Sequence, residues 1–351
     1  MSQRRRRGGV PTAPGEKSDE AGDHAVRKRQ VPVTPVPVTL EAIQSARQRI
    51  RGVAITTPLV PFLPAPSPAR IYLKLENLQP IGSFKIRGAA NAMRLAGPAA
   101  VKDGVLTASA GNMAQGVAWC AREFSVPCRV VVPETAPASK LAAIERLGGE
   151  LIRVPFDRWW QTLLDGAYPG VDGVFVHPFA DAGVMAGNGT IGLEIIEQLA
   201  DVDTVLVPWG GGGLACGIAS AVRATRPAVR VYAVEIVGAA PLAASFAAGA
   251  ATTIDPVRSF VDGIGGKSVT AEMWTLARSL LAGVLTVRVA DVATAVRQLA
   301  LSSRVVAEGA GAASVAAAQG GVPGASAIAC IVSGGNIDAE KLAIILHGGI
   351  P

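Results

Sequence analysis

The chain has 351 residues, 50% of them hydrophobic, 17% charged and 5% aromatic, with 40 Gly, 24 Pro and a formal charge of +6. That composition excludes a mostly disordered chain, and at roughly 150 residues per domain the length predicts about two lobes, each burying its own core. Residues 1–30 hold eight basic side chains against four acidic ones and carry +4 of the +6, so the body is nearly neutral and is not expected to bind nucleic acid.

Cys120, Cys128, Cys216 and Cys330 are scattered without a CxxC pair, which predicts reduced thiols in a cytoplasmic setting and no zinc site. The longest uncharged stretch, residues 309–337, is long enough to span a bilayer. It is interrupted by Gln319, Gly320, Gly321, Pro323 and the run Ser333-Gly334-Gly335-Asn336, and so reads as a buried helix, a turn and a buried strand. No apolar segment follows the basic N-terminal residues, so no secretory signal is expected.

In chain order, residues 1–38 combine the cluster Arg4, Arg5, Arg6, Arg7 with Pro32, Pro35 and Pro37 and read as a disordered tail. Thr39 is placed to cap a helix over LEAIQSARQRI. Short Val- and Ile-rich runs then alternate with Ala-rich helical stretches: IYLKLE, GVLTAS, CRVVVP, ELIRVP, DTVLVP, VRVYAVE and IACIVSG. The alternation predicts an α/β fold with mostly parallel, two-sided sheets. Ligands of such sheets sit where strand ends feed helix N-termini.

Four of those junctions have unusual residues. After IYLKLE, Pro80 and Gly82 make a turn, Ser83 can cap the next helix, and Lys85 falls in its first turn beside the positive end of the macrodipole. Such a lysine is either a tolerated surface charge or a desolvated amine suited to Schiff-base formation. After GVLTA, the segment Ser109-Ala110-Gly111-Asn112-Met113 offers small residues and free N–H groups at a helix start, sized for a carboxylate. After DTVLV come Gly210, Gly211, Gly212, Gly213 and Leu214. Four glycines in a row cost backbone entropy and are most easily justified where backbone wraps a phosphate. No Gly-Lys-Ser/Thr follows, so this is not a P-loop; a dinucleotide loop with Glu235 as the ribose acid is a loose fit. After IACIV, Ser333 can project a hydroxyl into a site.

In series, GSFKIRGA, SAGN, GGGGL and SGGN resemble the pyridoxal-phosphate enzymes of fold type II, the tryptophan synthase β-like family, and within it the serine/threonine dehydratase branch. The resemblance runs from about Thr39 to about Ile345. It implies two α/β lobes with the active site in the cleft between them: a large cofactor-binding domain over 39–104 and 186–351, and a small substrate-binding domain over 105–185. It further implies that Lys85 carries pyridoxal 5′-phosphate as a Schiff base, beside Phe84, and acts as general base. Gly210, Gly211, Gly212, Gly213 and Leu214 would bind the phosphate, Asn112 the ring 3′-oxygen and Ser333 the ring nitrogen. Ser109, Gly111, Asn112 and Met113 would take the substrate carboxylate, with Glu308 nearby. The implied reaction is β-elimination from a β-hydroxy-α-amino acid such as L-threonine or L-serine, giving a 2-keto acid and ammonia, by a homodimer with no membrane partner.

Three departures narrow this. Met113 stands where many dehydratases have His; it reads as a neutral replacement at a position contributing mainly backbone, the alternative being room for a more apolar β-substituent than threonine's methyl. Ala110 replaces the serine that racemases of the family use, which disfavours racemisation. Ala239 and Pro241 follow Glu235 where a second acidic ligand would lie, so no essential divalent cation is expected. The chain ends about fifteen residues after Asn336, so a C-terminal regulatory domain with isoleucine-type inhibition is not expected. His177 reads as a packing residue, Trp159 and Trp160 as an interlobe surface or helix face, and Cys120 and Cys216 as core. The alternatives are β-replacement of the cysteine-synthase type, a nucleotide binder using the glycine run, and an anionic-surface binder working through the arginine cluster.

Overall fold

The computed structural model describes residues 37–63 and 68–351. All but the last two residues of the expected tail, with its arginine cluster, lie outside the described residues. Helix α1 (Leu40–Arg49) starts where Thr39 Oγ1 accepts the Ala42 N–H at 3.2 Å, as the sequence predicts. The chain then runs through β1 (Leu59–Pro61), β2 (Arg70–Leu75) and α2 (Lys85–Ala96) into α3 (Pro98–Val101). An alternating segment follows: β3 (Val105–Ala108), α4 (Asn112–Glu123), β4 (Cys128–Pro133), α5 (Ala138–Arg146), β5 (Glu150–Val154), α6 (Phe156–Asp165) and β6 (Val174–Phe175). After α7 (Ala182–Gln198) come β7 (Thr204–Pro208), α8 (Gly213–Thr225), β8 (Arg230–Ile236), α9 (Pro241–Ala248), α10 (Ala271–Leu280) and β9 (Gly283–Val287). The C-terminal part adds α11 (Val289–Gln298), α12 (Gly309–Gln319), β10 (Ala327–Val332) and α13 (Ala339–Leu346).

These strands form two sheets. The larger has the order β1-β2-β10-β7-β8-β9, with β1 antiparallel to β2 and every other pairing parallel. The smaller, β5-β4-β3-β6, is wholly parallel. Both are buried on both faces, which is why their central strands are continuous apolar runs. In β10, Ile328, Cys330 and Val332 join the core beneath α11 and α12, while Ala329 and Ile331 join the opposite core beneath α8 and α10. In the small sheet Val130 and Val132 face the cluster of α2 and α4, and Val131 faces Leu163 of α6.

The seven strands read from the sequence are present. The three it missed, β1, β6 and β9, all lie at sheet edges, where one neighbour suffices and no two-sided apolar run is needed. The uncharged stretch 309–337 is the expected helix (α12), turn and strand (β10). No helix among the described residues is long and apolar enough to cross a membrane.

The strand orders mark where ligands belong. In the large sheet β7 leads outward to β8 while β10 is entered by a crossover from β9 at the far edge; in the small sheet β3 leads to β4 while β6 is entered from β5 at the far edge. The strand order thus reverses between β10 and β7 and between β3 and β6, where a crevice is expected.

Candidate active site

Both crevices open on one cavity of about 480 Å³. Every residue that the resemblance assigns to cofactor or substrate lines it: Phe84, Lys85, Ser109, Gly111, Asn112, Met113, Gly210, Gly211, Gly212, Gly213, Leu214, Glu308 and Ser333. They come from the ends of β3, β7 and β10 and from the starts of α2, α4, α8 and α12.

Lys85 is the first residue of α2, and its N–H donates to Ser83 Oγ at 3.2 Å. The turn before it is stitched to the end of β10: Phe84 N–H donates to Ser333 O at 3.0 Å and Gly335 N–H to Gly82 O at 2.9 Å. Two segments some 250 residues apart are thereby held as one surface. The Lys85 amine is half-buried, donates to Pro178 O at 2.7 Å and stands 5.1 Å from the centre of the Phe84 ring. Burial pushes it down to about 8, against an opposing pull from Glu308. Among the described residues no carboxylate forms an ion pair with it, in contrast to Lys74, whose Nζ lies 2.6 Å from Glu194, and Lys140, 2.8 Å from Asp262.

Two of the helices that begin at this cavity do so on a glycine, with no side chain available to cap them. α8 has Gly212 at its N-cap and α4 has Gly111, whereas α1, α7 and α10 are capped by Thr39, Asp181 and Thr270. Their first-turn N–H groups are thus left for an external anion. Around α8 only glycine fits: Gly212 has φ +91°, and a Cβ on Gly211 would lie 2.2 Å from the Phe179 ring. At α4 the Gly111 N–H donates to Ser109 Oγ at 3.2 Å, which shapes the turn.

Asn112 is fixed at both ends of its amide. Its Nδ2 donates to Glu308 Oε1 at 2.8 Å, and its Oδ1 accepts from Asn336 Nδ2 at 2.8 Å. Burial, with Asp262 adding, pushes the Glu308 carboxyl up to about 7, so a proton is retained near neutrality. Met113, while lining the cavity, is 2% exposed and packs in the small-sheet core.

Other readings resolve at this level. His177 is structural: its Nδ1 accepts from the N–H groups of Phe179 and Ala180 at 3.2 and 2.9 Å, fixing the turn whose Pro178 carbonyl meets Lys85. Burial, then Lys85, pushes its imidazole down to about 4. Glu235 caps α9 instead, accepting from Leu242 and Ala243 N–H at 3.0 and 2.8 Å. All four cysteines are free and buried.

Sequence reasoning missed three parts of the site. Pro178 and Phe179 enter it from the β6–α7 connection, and Phe156 and Trp159 from α6. Lys140 of α5 reaches across to Asp262 in the α9–α10 connection at the cavity mouth. Behind Lys85 lies a buried ion network: Arg87 pairs with Glu76 at 2.8 Å and Glu194 at 2.6 Å, and Lys74 pairs with Glu194 while donating to Thr57 O at 2.7 Å. A charge in a sequence reads as solvated, and only the fold shows these partners.

The cavity suits a phosphorylated carbonyl cofactor such as pyridoxal phosphate: a glycine cradle that a Cβ would fill, an uncapped helix N-terminus and an unpaired, part-neutral amine occur together. The comparisons with known proteins agree. The family model described as pyridoxal-phosphate dependent enzyme matches residues 50–334. The L-threonine ammonia-lyase of Thermotoga maritima is 39% identical over 319 residues, 89% of this chain and 79% of that one. The catabolic L-threonine dehydratase TdcB of Escherichia coli K12 is 35% identical over 88% of this chain and 96% of its own. Among solved structures, maize serine racemase superposes with a TM-score of 0.82 at 30% identity, covering 89% of this chain and 98% of that one. With cavity, cradle and amine converging on the cofactor's chemistry, the chain belongs to the pyridoxal-phosphate-dependent enzymes of fold type II.

Proposed function

We propose that this enzyme removes the α-proton and the β-hydroxyl of a β-hydroxy-α-amino acid such as L-threonine or L-serine and releases a 2-keto acid and ammonia. The observation that carries the reading is the Lys85 amine, half-buried, free of any carboxylate partner among the described residues and sharing its cavity with the glycine N-caps of α4 and α8. Bound pyridoxal phosphate supplies an electron sink for the α-carbanion. Lys85 would hold it through its amine and, with that amine free, is the group placed to take the α-proton; a group at about 8 serves both tasks near neutral pH. The α8 N-terminus with Gly210, Gly211, Gly212, Gly213 and Leu214 binds the phosphate. The α4 N-terminus with Ser109, Gly111, Asn112 and Met113 binds the substrate carboxylate, which leaves the Cα–H over Lys85. Asn112, oriented by Glu308 and Asn336, offers its amide to the ring oxygen. Ser333 presents a hydroxyl to the ring nitrogen and, unlike a carboxylate, does not stabilise a proton there, which favours prompt elimination.

Ala110 lines the cavity where an opposite-face acid or base would be needed, so racemisation is not part of the reading. We further propose two functional lobes, the small domain over 105–185 and the large over 39–104 and 186–351, a homodimer, and a cytoplasmic setting, the last supported by the four free thiols. The test is 2-keto acid release from a panel of β-hydroxy amino acids by the purified holoenzyme. Release from threonine, serine or a bulkier relative supports the reading; a coloured enzyme that releases none and instead joins an added thiol to the substrate points to β-replacement.

A further inference from the structure

Aromatic residues are 5% of the chain, yet four of the 30 residues lining the cavity are aromatic: Phe84, Phe156, Trp159 and Phe179. Phe84 stands over Lys85 and Phe179 against the glycine run. The other two lie one turn apart at the start of α6, with ring centres 5.4 Å from each other. Trp159 packs with Leu106 and Ala108 of β3, the strand that ends at the carboxylate loop, and with Val131 of β4, whereas Phe156 is 57% exposed. Exposed aromatic surface facing an active-site cavity is unfavourable until a ligand covers it. Ala110, Ala136 and Pro137 add apolar lining to the same cavity, with Thr135 and Lys140 as the polar residues of that segment.

We propose that this wall receives the Cβ substituent of the substrate, and that the preferred substrate carries an aryl group there, a β-hydroxy-β-aryl-α-amino acid of the phenylserine type, over threonine or serine. The proposal rests on the β-elimination reading above and names its substrate class. The carboxylate is fixed at the start of α4 and Cα over Lys85, so the substituent on Cβ is the part left to meet α6. Threonine's methyl leaves most of the Phe156 and Trp159 surface uncovered, while an aryl ring stacks on it. The overall reaction is unchanged: Cα–H and Cβ–O break, water leaves, and the released enamine takes water back as it hydrolyses to an arylpyruvate and ammonia. No oxidant or reductant is needed. The competing chemistry is an acidic substituent paired with the exposed Arg258, which also lines the cavity.

The holoenzyme should be assayed for 2-keto acid from L-threonine, L-serine, phenylserine and β-hydroxyaspartate. The proposal expects the highest kcat/KM for phenylserine, and a fall of about tenfold in the phenylserine-to-threonine ratio in Phe156→Ala and in Trp159→Ala. A second readout avoids turnover. L-Phenylalanine has no β-hydroxyl to lose, and its binding, followed by tryptophan fluorescence, should be tighter than that of L-alanine and weaken about tenfold in Phe156→Ala. Preference for threonine, serine or β-hydroxyaspartate, or a ratio unchanged in both variants, would overturn the aryl proposal and leave β-elimination standing. No keto acid from any of the four substrates would sink both.

Discussion

A lysine amine becomes a useful nucleophile and base near neutrality only if it is desolvated without being captured by a carboxylate. Lys85 meets both conditions because its partner is the carbonyl of Pro178, held in place by the His177 imidazole. Glu308 is the complementary case, a carboxyl that burial pushes up to about 7. A raised carboxyl favours folding only while it is protonated. Its contribution is complete below its ordinary value of 4.5 and is lost as pH rises through about 7. Glu308→Gln removes that titration and keeps an acceptor for Asn112. In cofactor-free protein the variant should therefore match wild type near pH 5 and be more stable by about 2 kcal/mol at pH 8, with allowance for partial exposure. Urea unfolding at the two pH values reads this directly, and a stability difference that does not change with pH would contradict it. Lys85 and Ser333 were readable as reactive candidates because each stands beside turn residues at a strand end. The role of Glu308 was not, because its hydrogen bond to Asn112 joins residues 196 positions apart.

At the scale of elements, the fold places two helix starts with glycine N-caps, those of α4 and α8, around one cavity, each after a central strand of its own sheet. The glycine run was legible because four consecutive glycines have no local structural use. The structure adds the reason for one of them: the Phe179 ring occupies the place of any side chain at Gly211. Gly211→Ala should displace that ring or the loop at a cost of about 2 kcal/mol, weakening cofactor binding about thirtyfold. Titration of the stripped variant, followed by visible absorption, measures it; an affinity equal to wild type would mean that the loop does not hold the phosphate. Edge strands and α6 escaped the sequence reading for opposite reasons. β1 and β6 are only three and two residues long. α6 was read from its two tryptophans only as an interlobe surface or helix face, although one of them lines the cavity.

Over the whole molecule, the charges that look dispersed in the sequence sort into three groups: a basic segment before residue 31, exposed surface pairs, and a buried set behind the site. The buried set ties β2, α2 and α7 together through Lys74, Glu76, Arg87 and Glu194. Removing one partner of such a set strands a charge, while the intact set fixes position more than it adds stability. α7 approaches α2 so closely that a Cβ on Gly187 would lie 2.3 Å from Arg87 O, so the base of α2 and the lysine at its start are rigidly held. The lysines of the described body then differ in availability. Lys74 is buried in the network and Lys140 is paired with Asp262, while Lys102 and Lys267 are exposed and Lys341 lies near Asp262 and Asp338. Lys85 alone among them is both in the cavity and free of a carboxylate partner. Borohydride reduction of the holoenzyme, followed by proteolysis and mass spectrometry, locates the lysine that carries the cofactor. The expected result is a single reduced pyridoxyl adduct on the peptide containing Lys85; an adduct on Lys140 or Lys74 in its place, or none at all, would contradict the proposed site.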